Sequence, residues 1–189
     1  MKTNEQEDPR VRRTRQLLLQ ALEELLTEKG FRRLTVQDIA ERAGLNRVTF
    51  YGHFSDKYAL LEYWLREQFR QQIAPLYSTT GTLNARNLEA LIVTMMKWFA
   101  QLHYRARPED RQLLPLFFAT MPQEISLLLH EWYRQTPARE LPSHVAPEVM
   151  VMVMSWAILG ISFQWSDGIR ILSPEEQARQ ITALLMANF

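Results

Sequence analysis

The 189-residue chain has no cysteine. That excludes disulfides, a thiol nucleophile and any metal site built on thiolates, and it permits a reducing compartment. Glycine is scarce, at six residues, and none of it forms a phosphate-cradling loop. The Gly-x-Ser-x-Gly turn, the His-Glu-x-x-His pair and a close acid pair with an evident partner are also missing. His53, His103, His130 and His144 show no ligand spacing. These absences argue against an enzyme and against a metal or other cofactor. Strand-like alternation of useful length and internal repeats are lacking as well, so the expected fold class is all-α.

Net charge is only +1, but it is unevenly spread. Between Pro9 and Lys57 ten basic residues face six acidic ones, whereas from residue 73 onward nine basic residues face ten acidic ones. A basic front on a near-neutral body is a weak sign of an end that binds a polyanion. The opening "MKTNEQEDPRVRRTRQ" is polar, with no apolar stretch behind its positive charges, so a secretory signal is not expected.

Helical signals run through most of the chain. Leu18, Ala21, Leu22, Leu25 and Leu26 share a face, and Gly30 can take a positive φ at the helix end while Phe31 folds back, giving a helix over about residues 10 to 29. Thr35 and Asp38 form a capping-box-like start to a short helix with Ile39, Ala40 and Ala43 inside. Gly44 ends it, Leu45 turns inward, and Asn46 caps "RVTFYGHF". Asp56 can cap the next helix, which carries Leu60, Leu61, Trp64 and Leu65 to about residue 72. Pro75 and "STTGT" then break the pattern. The expected division is a polar tail over 1–9, a helical head with its connecting helix over 10–72, and a second domain over 73–189. Further helices are expected near residues 86–104, 109–119, 122–135, 146–166 and 174–187, with Pro115 kinking or splitting an apolar run.

Two short helices around a tight glycine turn suggest a helix-turn-helix. Ala40 is small enough for close crossing, Gly44 makes the turn, and Phe50 and Phe54 lie four apart on the buried face of the second helix. The opposite face carries Arg47, Val48, Thr49, Tyr51 and His53. Arginine, threonine and an apolar methyl suit the major groove, while Tyr51, His53, Lys57 and Thr35 suit phosphate oxygens.

The stretch "LTVQDIAERAGLNRVTFYGHFSDKYALL" resembles the DNA-binding module of the tetracycline-repressor (TetR) family of bacterial transcription regulators. The pattern is a Thr cap, Ile-Ala, Ala-Gly-aliphatic, a polar cap, Thr-aromatic-Tyr, His-Phe and a Lys opening the next helix. The resemblance is strong over about residues 10 to 65 and architectural beyond. It implies base-edge contacts from Gln37, Arg47, Val48 and Thr49, phosphate contacts from Thr35, Tyr51, His53 and Lys57, and a cytoplasmic, nucleoid-associated location. Val48 stands where members often carry a small residue, and Tyr58 replaces a frequent acid. The cluster Arg10, Arg12, Arg13 and Arg15 is similar to basic N-terminal extensions that reach the DNA backbone or minor groove.

The 18-residue span Val149 to Ser166 is uncharged, near the lower limit of roughly 17–25 residues for a membrane helix. Its serines and Gln164 favour instead a helix buried on several sides, one against its own domain and one against a partner subunit. The final helix opens with Ser173 as cap, Pro174 and Glu176. In the resembled family these two helices pair with a second copy as a four-helix bundle, with Met152, Trp156, Gly160, Phe163, Ile181, Leu184 and Leu185 as the expected interface. A homodimer would read a palindromic operator whose half-sites lie about 34–36 Å, or a multiple, apart. The family also implies a pocket for a small-molecule effector, expected among Met95, Trp98, Phe99, Phe117, Phe118, Met121, Trp132 and Tyr133, with His103, Tyr104, Arg105 and His130 as polar candidates. The expected function is therefore a sequence-specific transcriptional regulator, a repressor in its commonest mode. The alternative is a helix-turn-helix adaptor or coactivator controlled by a protein partner.

Overall fold

In the computed structural model the described residues are 8–77, 81–105, 110, 113–138, 145–168 and 172–187. Among them are eight α-helices, one 3-10 turn and no strand. The chain divides into two compact units, Met1–Leu65 with Ala106–Leu114, and Arg66–Arg105 with Pro115–Phe189.

The first unit is built on α1 (Pro9–Lys29), whose N-terminus is capped by the Asp8 carboxylate accepting the Arg10 N–H at 2.8 Å. Pro9 opens the helix where a missing N–H costs nothing. Leu18, Ala21, Leu22 and Leu25 are buried along one face. Gly30, at φ +72°, ends the helix, and its N–H reaches the Leu26 carbonyl at 3.1 Å. The chain then makes a 3-10 turn, Phe31–Arg33, with Phe31 fully buried. Next come α2 (Val36–Arg42) and α3 (Arg47–Tyr51), and then α4 (Lys57–Tyr77), whose start belongs to this unit. At that start the Asp56 carboxylate accepts the N–H groups of Tyr58 and Ala59, each at 2.8 Å.

The second unit holds the rest of α4 with α5 (Ala85–Arg105), α6 (Leu114–Gln135), α7 (Pro147–Ser166) and α8 (Pro174–Ala187). Helix α5 packs against both α7 and α8 and buries Leu88, Leu91, Ile92, Met95, Met96, Trp98 and Phe99. The structure departs from the expected helix ends at two prolines. Helix α4 runs through Pro75 rather than stopping near residue 72. The expected break between 119 and 122 is absent, because α6 is one helix with Pro122 buried inside it. A proline there leaves the Phe118 carbonyl without its usual donor. The buried neighbours Met121, Ile125, Leu128 and Leu129 hold the helix together. Pro115 falls in the first helical turn, where it neither kinks nor splits anything.

Candidate nucleic-acid interface

The helix-turn-helix is specified by its caps. Thr35 Oγ1 accepts the Asp38 N–H at 3.1 Å while the Asp38 carboxylate accepts the Thr35 N–H at 2.8 Å, closing a reciprocal capping box at the start of α2. Lys29 lies 2.8 Å from the same carboxylate, and that ammonium, followed by the Thr35 hydrogen bonds, pulls the Asp38 pKa down from 3.8 to about 2. Arg42, at the other end of α2, grips both Glu28 oxygens of α1 at 2.7 Å and Glu24 at 3.1 Å. These carboxylates raise its pKa.

Gly44, at φ +68°, makes the turn that a side chain would strain, and the Leu45 N–H returns to the Ala40 carbonyl at 2.8 Å. The Asn46 carboxamide oxygen then caps α3 by accepting the Thr49 N–H at 2.7 Å. Phe50 is fully buried and Phe54 nearly so, with ring centroids 6.1 Å apart, and Tyr63 packs on Phe54 at 5.5 Å. This packing turns the remaining face of α3 outward.

On that face Val48 is 80% exposed and Tyr51 49% exposed. Arg47 is exposed, its guanidinium donating to the Tyr51 hydroxyl at 3.3 Å and lying over that ring at 5.9 Å. A side chain swung over its i+4 neighbour is positioned yet still free to reach a groove. His53 is half-buried after α3. Three other expected contact residues are already engaged. The Thr49 hydroxyl donates to Asn46 at 3.0 Å, the Thr35 hydroxyl donates to Asp38 at 2.7 Å, and the Gln37 amide donates to Glu41. Lys57 is half-buried, with its ammonium directed at backbone carbonyls. Of the arginines at the start of α1, Arg10, Arg12 and Arg13 are exposed, while Arg15 is half-buried with its guanidinium over Tyr63 at 5.4 Å.

In the second unit the expected effector residues separate into two groups. Trp98, Phe99, Phe117 and Phe118 form a continuous ring ladder, extended at its ends by Phe69 and Phe163, with centroid spacings of 4.9 to 6.3 Å. Met95, Met121 and Trp132 are buried and Tyr133 is half-buried, with no ring contact to that ladder among those described. The His130 ring nitrogen sits 3.0 Å from the Ser126 carbonyl. The side chains of His103, Tyr104 and Arg105 lie outside the described residues, as does His144. An open groove of about 500 Å³ lies elsewhere, between α5 and α8, and is lined by Arg86, Glu89, Val93 and Arg179 among others. Four buried hydroxyls, those of Thr120, Thr136, Ser155 and Ser166, donate to carbonyls three or four residues back. Those of Ser162 and Thr182, with the Trp132 indole nitrogen, have no hydrogen-bond partner among the described residues.

The expected interface residues also separate. Met152, Trp156 and Leu184 are 51 to 69% exposed. A side chain at Gly160 would meet nothing within 4 Å. Phe163 packs on Phe118 at 5.1 Å, Ile181 is 8% exposed, and Leu185 is half-buried. Val149 and Val153, on the same helical stripe as Met152 and Trp156, are exposed as well, at 48% and 50%. A feature that was not anticipated is Glu124, 4% exposed on α6, with Arg66 at 2.5 Å and Arg70 at 3.4 Å from α4. Nothing local in the sequence marks a pair separated by 58 positions.

A capped α2, a glycine turn and a short α3 with a polar outer face define a helix-turn-helix protein. Residues 18–63 match the family described as bacterial regulatory proteins, tetR family. The match is confined to the head of the chain and contains all of α2 and α3. A Bacillus subtilis (strain 168) protein described as an uncharacterized HTH-type transcriptional regulator, YvkB, is 33% identical over 73 residues, a stretch that spans 39% of this chain and 39% of that protein. Among solved structures, a TetR transcription regulator from Haloarcula marismortui ATCC 43049 is similar at a TM-score of 0.58 and 19% identity, over 93% of this chain and 97% of that one. The transcriptional regulator FadR from Bacillus subtilis, in complex with stearoyl-CoA, is similar at a TM-score of 0.57 and 16% identity, over 92% and 98%. At those identities the likeness establishes the all-helical fold alone.

Proposed function

We propose that this protein is a sequence-specific transcriptional regulator that binds a palindromic DNA operator as a homodimer and changes its affinity with a small-molecule effector. The observation that carries the reading is the outward face of α3, where Arg47, Val48 and Tyr51 stand exposed on a helix too well capped and anchored to turn them elsewhere. Arg47 offers paired donors to guanine O6 and N7, and Val48 offers an apolar surface to a thymine methyl. Tyr51 and His53, with the Thr35 end of α2, hold the phosphates and fix orientation. Gln37 and Thr49 reach base edges only by exchanging their present partners Glu41 and Asn46.

One five-residue helix reads few bases, so specificity requires a second copy. Val149, Met152, Val153 and Trp156 recur at helical spacing along α7, about half exposed each, and Leu184 on α8 is more exposed still. An exposed apolar stripe of this kind marks an association site. Pairing α7 and α8 with a second copy covers it and gives the two-fold symmetry that a palindrome mirrors. In the body, the aromatic ladder and the unpartnered Ser162, Thr182 and Trp132 groups suit a mostly apolar effector with a few polar atoms. Occupying a promoter to repress transcription is the simplest mode.

The test is selection of bound duplexes from a random DNA pool at a stated moderate salt concentration, since phosphate contacts are salt-sensitive. Enrichment of a palindrome is the expected outcome. A folded protein that enriches no sequence contradicts the reading.

A further inference from the structure

Lys57 carries the last of the motif's charges, and its surroundings set it apart from the others. Its Nζ lies 2.7 Å from the Leu34 carbonyl, 3.2 Å from that of Phe31 and 3.4 Å from that of Arg32. An ammonium has three protons, and here each has a backbone acceptor. Two rings wall the same group, Phe31 at 4.6 Å and Tyr58 at 5.6 Å from Nζ, and those rings pack edge to face at 5.1 Å. Tyr58 thereby gains a purpose in place of the acid more frequent there. Burial lowers the Lys57 pKa, partly offset by the charges of Asp110 and Asp38. Asp110 acts on the same turn, its carboxylate accepting the Phe31 N–H at 3.1 Å.

We infer that Lys57 is a positioning residue of the DNA-reading head rather than a phosphate ligand, clasping the turn before α2 to the start of α4. The clasp joins the two ends of the 34–57 segment, which contains all of α2 and α3. The carbonyls it holds immediately precede Thr35, the cap of α2. Without the clasp, α2 and α3 keep their mutual packing but lose a fixed orientation as a pair. A phosphate, by contrast, would have to compete with three carbonyls already in place.

This inference rests on the DNA-reading function proposed above, and the test separates the two. Affinities are measured for a selected duplex and for a random-sequence duplex over a range of salt concentrations, at a temperature where circular dichroism shows the protein folded. Wild-type protein with no preference for the selected duplex removes the DNA-reading proposal itself, whatever Lys57 does. Given that preference, Lys57→Met keeps the aliphatic stem and loses the donors. It is expected to bind the selected duplex about tenfold more weakly, the scale of losing a base-edge contact, with random-duplex affinity and salt slope unchanged. Random-duplex affinity falling alongside, with a salt slope reduced by about one, would mark a lost phosphate contact and overturn the inference. Unchanged affinity for both duplexes would overturn it too. If Lys57→Met is unfolded at the assay temperature, Lys57→Arg decides. It keeps the charge, but a planar guanidinium fork does not match three converging carbonyls. It is expected to lose the preference for the selected duplex as well, and retention of wild-type preference would refute the clasp.

Discussion

The two units spend their polar and apolar groups in opposite ways. In the head nearly every cap is filled from within: Thr35 with Asp38, Asn46 with Thr49, Asp56 with Tyr58, Arg42 with Glu28, Lys57 with three carbonyls. Its most exposed large apolar side chain, Val48, stands on the outward face of α3. In the body α7 leaves Val149, Met152, Val153 and Trp156 about half in solvent, while Ser162 and Thr182 on α7 and α8 keep buried hydroxyls without partners among the described residues. A surface whose helix caps are filled from within presents fixed side chains to a rigid ligand such as duplex DNA. A body with uncovered apolar surface and unspent hydrogen bonds is suited to partners that complete it.

The contrast can be broken most severely from the inside of the head. Phe50→Ala removes a fully buried ring from under α3 and should cost about 3–5 kcal/mol in a denaturant melt, because the caps cannot replace a core contact. Next in size is the body's uncovered face. Trp156→Asp should weaken self-association by roughly 2–4 kcal/mol, as loss of a central aromatic does at an interface. Sedimentation should show a monomer with the helical content of the wild type, and an unchanged assembly would place the interface elsewhere. Arg47→Ala should weaken binding to a selected operator by about 1–3 kcal/mol and relax discrimination at one base position. Equal affinity for every base at that position in the wild-type protein would remove its assigned role.

The smallest effect is on pH. With its pKa lowered from 3.8 to about 2, Asp38 stabilises the folded head fully above the unfolded value, and this contribution is lost as pH falls through the folded one. Acid titration of the head should therefore lose stability across that window. Asp38→Asn should remove this part of the pH dependence, and an identical acid profile for the variant would show that Lys29 and Thr35 do not hold the carboxylate as described.

How much of this is legible in the sequence depends on how far apart the partners lie. Thr35, Gly44, Asn46, Phe50 and Asp56 act within four residues of themselves or on one helical face, and they appear where their spacing puts them. The proline positions misled at Pro75 and Pro122: α4 runs past an exposed Pro75 to end at Tyr77, and buried neighbours within α6 carry that helix past Pro122. Glu124 with Arg66, and Lys57 with the Phe31–Leu34 carbonyls, are partners 23 to 58 positions apart, so nothing in their local sequence announces them. The motif identified the residues on the reading face, but not which of their hydrogen bonds were already spent. Thr49 and Gln37 read as free groups in sequence and are engaged in the structure.

The central claim, two reading heads acting as one through the α7–α8 face, is tested most directly by titrating the protein against a selected palindromic duplex and against a duplex holding one half-site, with the mass of each complex measured by sedimentation. The account predicts two chains on the palindrome and binding to the half-site weaker by about a hundredfold or more, since the second head engages at high effective concentration. One chain per duplex, with equal affinity for both DNAs, would contradict it.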